Sequence, residues 1–435
     1  MMQRARRIHA TKALCPSCAR VLPAALVERA GDVHLELECP EHGPASHFYF
    51  RDARLYRSLH ALRNDAPCCD RYDCARGEPC QVRRGRSLIY IVNVTNRCNM
   101  TCEACFSGSS ATLEEPFAPA ERLLADLGDA RGWPFQPHAV LLGGEPTLHP
   151  ELPAMIAELV RRGYLVRLAS NGLKLRNRAY ADRLAAAGLG WVFLHYDSSD
   201  ERLNLRVRGR PMRQACLEAI RRCRAAGMKV QFGTTLSQEN LGELVALVRE
   251  AHRAGVFWIS LYTLAEIERT GAVGATYLAD ALDAFEQQTL GEVRRADFLV
   301  AARLWSTLHR LTGRLNYRQK PTMVSLPVVV AGARLVPVTR FVDPRELLRD
   351  PGAVARLLRS LPSLADYERR EPSGDTVVLN VQQFQGRSAF DLEEATHSLM
   401  SFVHAGSYVP FDVYNHVARY GAERLVPATA LLRSA

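Results

Sequence analysis

The chain has 435 residues, of which 47% are hydrophobic and 23% are charged, with a formal net charge of +10. This composition is typical of a globular protein of two or three domains and argues against a disordered chain. No run of about 18 apolar residues occurs, so no membrane span is predicted. The basic start lacks the apolar core of a secretory signal, which predicts a cytoplasmic protein with reduced thiols.

The positive charge comes largely from arginines scattered along predicted helices. Scattered charge is typical of solvated helix faces, so nucleic-acid binding is not the preferred interpretation. The twelve cysteines are instead concentrated, because ten of them precede residue 106. In a cytosolic chain such crowding indicates metal sites. Cys216 and Cys223 lie on a predicted helix and are expected to pack as small apolar side chains.

The first 86 residues are predicted to form a metal-binding domain of short strands and turns. "CPSC" holds Cys15 and Cys18, and "CPEHG" holds Cys39 and His42 after a gap of 20 residues. Two such knuckles predict a tetrahedral ribbon site for one zinc or iron ion. A later cysteine could take the place of His42 as a ligand.

A second group of cysteines lies in the stretch "PCCDRYDCARGEPC". Four thiolates separated by turn-forming residues predict a second iron–sulfur cluster or a zinc site. The four are Cys68, Cys69, Cys74 and Cys80. Adjacent cysteines rarely bind the same ion, so the two N-terminal sites could exchange a ligand.

From residue 87 onward, apolar strands alternate with amphipathic helices. Strands are predicted at 88–94, 138–142, 164–170, 191–197, 229–236 and 256–262. Helices are predicted at 118–131, 151–162, 177–187, 213–226, 241–254 and 277–289. Strands that are apolar on both faces and joined by helices indicate a parallel sheet. Six such units predict an α/β fold, a partial (β/α)6 TIM-type barrel over 87–290, with ligands at the carboxyl ends of the strands.

The alternation breaks after residue 290. "MVSLPVVVAGARLVPV" predicts a hairpin, and a helical stretch is predicted over 344–361. Residues 291–435 are therefore expected to form a C-terminal α+β domain that covers the substrate.

The stretch "NRCNMTCEACF" follows the first strand of the predicted barrel directly. It holds Cys98, Cys102 and Cys105 at the spacing C-x3-C-x2-C. A zinc ion would need a fourth ligand, and no histidine follows in the next thirty residues. Three thiolates on a [4Fe-4S] cubane leave one iron open, and an open iron can bind a small chelating ligand.

Polar loops follow the later strands at the same edge. In "GGEP", the glycines let backbone approach a ligand closely and Glu145 could accept a charged amine; alone, the loop would be an ordinary turn. "SNG" offers Ser170 and Asn171 to a ligand or to a helix cap. His195 and Asp197 follow the fourth strand, where one could face the chamber or be buried and hydrogen-bonded. "RVRG" (206–209) could bind an anionic ligand or be an exposed charge run.

The cysteine spacing at the end of a first strand resembles the signature of the radical S-adenosylmethionine (SAM) superfamily. The resemblance implies that Cys98, Cys102 and Cys105 hold a catalytic [4Fe-4S] cluster that cleaves SAM reductively. The resulting 5'-deoxyadenosyl radical takes hydrogen from an unactivated carbon. The implied electron donor is a one-electron reductase such as flavodoxin or ferredoxin. The implied SAM contacts are Phe106, Gly143, Gly144, Glu145, Pro146, Ser170, Asn171, His195 and Asp197. Ala104 departs from the pattern, because the superfamily usually has a bulky apolar residue there.

The N-terminal pattern narrows the resemblance. "CPxC…CPxHG", the CC pair and the tail "SFVHAGSYVPFDVYN" resemble the family of tetraether lipid synthases and pterin methyltransferases. This implies C–C bond formation or alkylation of a lipid chain or small molecule. The alternative is radical methylation or rearrangement of a pterin-like or natural-product substrate. That family has further cysteines in its C-terminal half, whereas this chain has none after Cys223, and Leu399 and Ser401 occupy the region concerned. A zinc-ribbon nucleic-acid-binding protein is the alternative of another class.

Overall fold

The computed structural model describes residues 6–18, 20–63, 89–103, 105–133, 136–263, 275–312, 319–341, 375–386, 388–396, 398, 400–404 and 407–416. The second cysteine group, the helical stretch predicted over 344–361, Ala104 and Leu399 lie outside these ranges. Within them, no helix is long and apolar enough to cross a lipid bilayer.

The N-terminal segment is a four-stranded antiparallel sheet followed by a helix. Its strands pair in chain order and span Arg6–Leu14 (β1), Val21–Arg29 (β2), Asp32–Cys39 (β3) and Gly43–Phe50 (β4), and the helix spans Ala53–His60 (α1). Burial alternates along β3, as expected where one face of a strand packs on a core. Ala30 and Gly31 both have positive φ, which is the geometry of a tight two-residue turn between β2 and β3.

The other strands in the described part of the chain form a single sheet of eleven. They span Ile89–Thr95 (β5), His138–Gly143 (β6), Leu165–Ser170 (β7), Trp191–His195 (β8), Lys229–Leu236 (β9), Trp258–Thr263 (β10), Met323–Ala331 (β11), Arg334–Pro337 (β12), Thr376–Gln383 (β13), Met400–His404 (β14) and Ser407–Pro410 (β15). Strands β5 to β10 are neighbours in chain order and all parallel. The predicted series of βα units is therefore confirmed, and the carboxyl ends of these strands share one edge.

The helices after α1 span Ala120–Leu124 (α2), Leu152–Arg161 (α3), Arg178–Ala186 (α4), Glu201–Arg208 (α5), Arg213–Ala225 (α6), Leu244–Arg253 (α7), Leu278–Gln288 (α8), Arg295–Thr312 (α9), Leu392–Thr396 (α10) and Phe411–His416 (α11). Of these, α3, α6 and α7 pack on the outer face of the sheet. The reason is visible in α3, where Leu152, Met155, Ile156 and Leu159 recur at helical spacing and are fully buried.

The helix predicted over 118–131 is wrong in extent, because only the five residues of α2 are helical. Pro119 precedes the first turn. At the other end, Arg162 donates hydrogen bonds to the carbonyl oxygens of Leu124 (2.8 Å) and Leu127 (2.5 Å). These carbonyls therefore have a partner outside a helix, and the chain turns away after Leu124.

The two faces of the parallel strands differ in exposure. On the outer face, Val166 and Leu168 are completely buried. On the inner face, Phe193 and Tyr262 are partly exposed. Because α3, α6 and α7 pack on the outer face, the inner face is left to line a chamber whose rim is the carboxyl edge.

Strands from the C-terminal segment extend the same sheet on both sides. β13 is parallel to β10 and carries the antiparallel hairpin β11–β12, which confirms the predicted hairpin. On the other side β14 is parallel to β5, and β15 turns back beside it. Both edges of the six-stranded core are thus paired, which satisfies backbone groups that would otherwise be open.

The N-terminal segment is attached to the rest of the protein by polar contacts at the end of β13, at the start of α9 and at Asp391. The side-chain amide of Gln383 donates to the carbonyl oxygen of Tyr49 at 2.8 Å, and Arg295 pairs with Asp52 at 2.6 Å. The hydroxyl of Thr11 donates to Asp391 at 2.6 Å.

Candidate active site

The loop with the three cysteines begins where β5 ends, at the carboxyl edge. Cys98, Cys102 and Cys105 are partly exposed free thiols. The carboxylate of Glu115 accepts hydrogen bonds from the backbone amide of Asn96 at 2.7 Å and from its side-chain amide at 3.3 Å. The loop is therefore folded back on itself and held near β5.

The three thiols of this loop are the candidate ligands of a cluster, because a single zinc ion would need a fourth ligand. Burial raises the pKa of Cys98 to about 11 and also raises that of Cys102. Metal binding needs thiolates, so loading of iron would release these protons. The donor set of three thiols suits a [4Fe-4S] cluster with one open iron.

The "GGEP" loop packs directly against the start of the cysteine loop. The amide of Gly144 donates to the carbonyl of Thr95 at 2.7 Å, and the amide of Glu145 donates to that of Arg97 at 2.8 Å. A Cβ on Gly143 would lie 2.2 Å from the Thr95 carbonyl oxygen, and one on Gly144 would lie 2.2 Å from that of Arg97. The contact between the two loops therefore requires glycine at both positions. This reason is separate from the close approach of a ligand that the sequence predicts.

The Glu145 side chain points into the protein and is completely buried. Its Oε1 accepts hydrogen bonds from the Thr147 amide (3.1 Å), the Thr147 hydroxyl (2.5 Å) and the Ser170 hydroxyl (2.8 Å). Its Oε2 accepts from the amide of Asn171 at 2.8 Å. Burial raises the pKa of Glu145, while these donors act in the opposite direction. The carboxylate therefore joins the ends of β6 and β7.

The "SNG" turn makes a second link to the cysteine loop. The side-chain amide of Asn171 donates to the side-chain carbonyl of Asn99 at 2.7 Å, and Asn99 lies between Cys98 and Cys102. The same Asn171 side chain accepts from the amide of Leu173 at 3.1 Å, as in an Asx turn. This geometry is compatible with both predicted roles of the turn, which are a local cap and a set of polar groups that contact a ligand.

A buried ion pair joins the cysteine loop to β8 and β9. Arg208 donates to Asp197 at 2.5 Å, and its guanidinium also lies 3.9 Å from the sulfur of Cys102. The second oxygen of Asp197 accepts from the amide of Thr235 at 2.8 Å. Asp197 is 4% exposed, and both of its oxygens bind protein groups in this conformation. Within "RVRG", Arg208 is part of the rim, whereas Arg206 is an exposed residue paired with Glu239.

His195 ends β8 on the inner face of the sheet. Burial, followed by the nearby cation of Arg208, lowers the pKa of His195 to about 4, so the imidazole is neutral at neutral pH. Its Nδ1 is enclosed and has no hydrogen-bond partner among the described residues. Phe193 packs edge-on against it, with ring centroids 5.2 Å apart. A Cβ on Gly233 would lie 1.9 Å from the Phe193 ring, so that glycine makes room for it.

Aromatic rings continue across the chamber from Tyr262. The Tyr262 ring stacks on Phe384 (5.1 Å between centroids), and Phe384 stacks on Phe411 (5.3 Å). Phe411 in turn lies 6.3 Å from Phe106, the residue after Cys105. Phe106 is thus placed between the cysteine loop and a wall of stacked rings.

The ribbon holds the second candidate metal centre. The ligand atoms of Cys15, Cys18, Cys39 and His42 all lie within 4.8 Å of one another, as predicted from the spacing. The Cys18 and Cys39 sulfurs are 3.8 Å apart, which is close to the edge of a tetrahedron with Zn–S bonds of about 2.3 Å. The hydrogen bond from His42 lowers the pKa of Cys39 to about 6. The four residues present fit a zinc ion.

Several residues at the rim carry no signal of their own in the sequence. Asn99 and Glu115 are ordinary polar residues, and their partners Asn171 and Asn96 lie 72 and 19 residues away in the chain. Arg208 lies in the run "RVRG", which is equally typical of an exposed charged stretch. The second cysteine group, predicted to bind a further cluster or zinc, lies outside the described residues.

The comparisons with known proteins agree with this geometry. Residues 92–251 match the radical SAM superfamily, and residues 7–51 match the HMPTM N-terminal zinc ribbon domain. The chain is 28% identical over 411 residues to 7,8-dihydro-6-hydroxymethylpterin dimethyltransferase of Methanocaldococcus jannaschii, which covers 83% of this chain and 79% of the relative.

Other likenesses are shorter. Fe-coproporphyrin III synthase of Methanosarcina barkeri is 27% identical over 168 residues, or 38% of this chain and 41% of that protein. The crystal structure of Streptococcus suis SuiB bound to precursor peptide SuiA is 20% identical, with a TM-score of 0.40, over 47% of this chain and 46% of that chain. The cysteine loop lies inside the first family match and the ribbon ligands lie inside the second. The chain therefore carries a radical SAM domain preceded by a zinc ribbon domain.

Proposed function

We propose that this protein is a radical SAM methyltransferase that acts on a pterin-like heterocycle. The observation that carries the proposal is that the cysteine loop, the "GGEP" loop and the end of β7 meet at one edge, above a chamber lined with aromatic and amide side chains. The similarity to the pterin dimethyltransferase supports the substrate class, because it extends over 83% of this chain.

Cys98, Cys102 and Cys105 would hold the [4Fe-4S] cluster. When bound, this cluster supplies the electron that cleaves SAM reductively and so yields a radical able to take hydrogen from an unactivated carbon. Arg208 adds a fixed positive charge beside Cys102, and Asp197 holds that guanidinium in place. Phe106 would pack beside SAM at the mouth of the chamber.

SAM would bind across Gly143, Gly144, Glu145 and Pro146. Because all four hydrogen bonds to the Glu145 carboxylate come from the protein, we assign the SAM amine to backbone carbonyl oxygens of this loop. Ser170, Asn171 and His195 would complete the site, with His195 offering a neutral imidazole to SAM or substrate.

The inner face favours a polar ring over a lipid chain. Gln231 donates to Ser260 at 2.8 Å, and Ser325 donates to Asn380 at 2.8 Å, all on strands of the chamber wall. An acyl chain offers no further hydrogen bond to these amide and hydroxyl groups, whereas a polar ring can accept or donate one. Coupling of lipid chains is therefore less well supported than methylation of a heterocycle.

The remaining expectations belong to the same proposal. These are three domains over 1–86, 87–290 and 291–435, a zinc ion in the ribbon, a further cluster or zinc on Cys68, Cys69, Cys74 and Cys80, a flavodoxin or ferredoxin as electron donor, and a cytoplasmic location. They are supported by the cysteine pattern and by the chemistry of the superfamily.

The test is anaerobic turnover of reconstituted protein with SAM, a strong reductant and 7,8-dihydro-6-hydroxymethylpterin. We expect 5'-deoxyadenosine from one SAM, and a methylated pterin with S-adenosylhomocysteine from a second SAM that donates its methyl group. Both sets of products should form with the wild type and the control Cys223→Ala, and neither with Cys102→Ala. Formation of 5'-deoxyadenosine without any methylated pterin would contradict the substrate assignment. Protein that binds zinc alone and cleaves no SAM would instead support a nucleic-acid-binding ribbon.

A further inference from the structure

Two basic residues lie on the inner face of the barrel sheet. The six strands β5 to β10, which the structure describes in full, contain one arginine, Arg167 on β7, one lysine, Lys229 on β9, and no aspartate or glutamate. Val166 and Leu168 are completely buried on the outer face, so Arg167 between them lies on the inner face. Arg167 and Lys229 are both partly exposed, as expected for side chains that border a chamber.

Trp191 of β8 joins the two basic side chains. The register of the sheet sets Arg167 beside Trp191 and Trp191 beside Lys229, and such neighbours share one face of a sheet. The Arg167 Cζ atom lies 4.8 Å from the centre of the Trp191 ring, and the Lys229 Nζ atom lies 5.3 Å from it. A guanidinium has five N–H donors and an ammonium has three, so both groups can bind an oxyanion in addition to protein groups.

Arg167 also acts on the aromatic wall of the chamber. Burial raises the pKa of the Tyr262 hydroxyl, and the positive charge of Arg167 acts on it in the opposite direction. The Tyr262 ring lies 6.0 Å from that of Phe193 and stacks on Phe384 at 5.1 Å. Arg167 precedes Ser170 at the rim by three residues, which is about 10 Å along a strand. The two basic residues therefore belong to the floor of the chamber, below the loops at the rim.

On the basis of the proposed function, we propose that Arg167 and Lys229 bind a phosphate group of the substrate, which is then the phosphate ester of a hydroxymethylpterin. Strands that carry two cations and no carboxylate give an enclosed chamber a positive potential, which attracts an anion. Arginine can donate two parallel hydrogen bonds to phosphate oxygens, and lysine adds a point charge. A hydroxymethyl group is an alcohol, and an alcohol can carry phosphate as an ester. The unesterified pterin would occupy the same chamber and bind more weakly.

The experiment compares two probes on the reconstituted protein with SAM bound, 7,8-dihydro-6-hydroxymethylpterin and its phosphate monoester. Anaerobic equilibrium dialysis is expected to show about 10- to 100-fold tighter binding of the ester by the wild type, as for hydrogen bonds to a charged group. Arg167→Gln and Lys229→Gln should each lose most of this preference, and Arg167→Lys should keep part of it. The control is Arg178→Gln, at a residue whose side chain is 79% exposed, and it should keep the whole preference.

The preference is a ratio of two affinities measured in the same variant, so general damage to the chamber affects both probes alike. Equal or weaker binding of the ester by the wild type would overturn the proposal, and this comparison needs no variant. So would an unchanged preference in Arg167→Gln. If neither probe binds while SAM is still cleaved, the proposed pterin function itself fails. Methylation of the unesterified pterin by a wild type that shows no preference for the ester refutes only the phosphate site.

Discussion

Replacement of Glu145 by glutamine tests whether its carboxylate stabilises the junction of β6 and β7 or binds SAM directly. Three donors converge on Oε1, and the amide of Asn171 donates to Oε2. A glutamine can keep its carbonyl oxygen toward the three donors, which turns its NH2 group toward the amide of Asn171. The loss of a charge-assisted hydrogen bond costs about 1.5–3 kcal/mol, and a buried amide without an acceptor costs about 1–3 kcal/mol.

Part of the cost of Glu145→Gln is offset, because glutamine carries no charge. Burial disfavours the ionised carboxylate of Glu145, as its raised pKa indicates, and the substitution removes this penalty. We expect Glu145→Gln to lower the free energy of unfolding by about 2 kcal/mol, measured by urea denaturation at pH 7. The exposed Glu121→Gln is the matched control and should stay within about 0.5 kcal/mol of the wild type.

SAM affinity, measured by anaerobic equilibrium dialysis at low temperature, completes the test. If the amine of SAM binds to backbone carbonyls, Glu145→Gln should bind SAM less tightly only in proportion to its loss of loop stability. A variant as stable as the wild type that no longer binds SAM would refute this reasoning. The carboxylate would then be a direct partner of the amine.

Three further predictions concern the loop contact, the ribbon and a buried acid. Gly144→Ala places a Cβ 2.2 Å from the Arg97 carbonyl and should reduce cluster content as measured by iron analysis, whereas Gly242→Ala, with open space around it, should not. Cys39→Ser should lose zinc by elemental analysis and lower Tm, while Cys223→Ser should keep its zinc. Burial raises the pKa of Asp391 to about 6, so the folded protein binds its proton more tightly than the unfolded chain. The contribution of Asp391 to stability should therefore fall by about 3 kcal/mol as pH rises from 4 to 7, and Asp391→Asn should remove that contribution from urea titrations; an unchanged pH dependence would contradict this.

Much of the barrel follows from local patterns in the chain. Val166 and Leu168 are part of an apolar run that predicts a buried strand, and β7 is found there. The ribbon ligands follow from the spacing of two knuckles, because a tetrahedral site fixes how short turns present their cysteines. The rim loops were likewise expected, since parallel strands bring their carboxyl ends to one edge.

Long-range pairings could not be predicted in this way. Arg208 reaches Cys102 across 106 residues, and whether an arginine in a charge run turns inward depends on the carboxylate of Asp197. The hydrophobic pattern of the sequence predicts where a strand lies but not which strand pairs with it. It therefore does not predict that β13 pairs with β10 or that β14 pairs with β5. The role of Glu145 was expected from its position in "GGEP", yet its four donors come from Thr147, Ser170 and Asn171.

The amide of Gln383 at the end of β13 bonds three parts of the molecule at once. Its nitrogen donates to the carbonyl of Tyr49 in the ribbon sheet, and its oxygen accepts from the amide of Leu278 at the start of α8. If the ribbon detached, this buried side chain and the Tyr49 carbonyl would lose their hydrogen bond, and the barrel would be destabilised. Ribbon and barrel should consequently melt in one cooperative transition, and chelation of zinc should loosen the wall beside Phe384 although the metal lies outside the chamber.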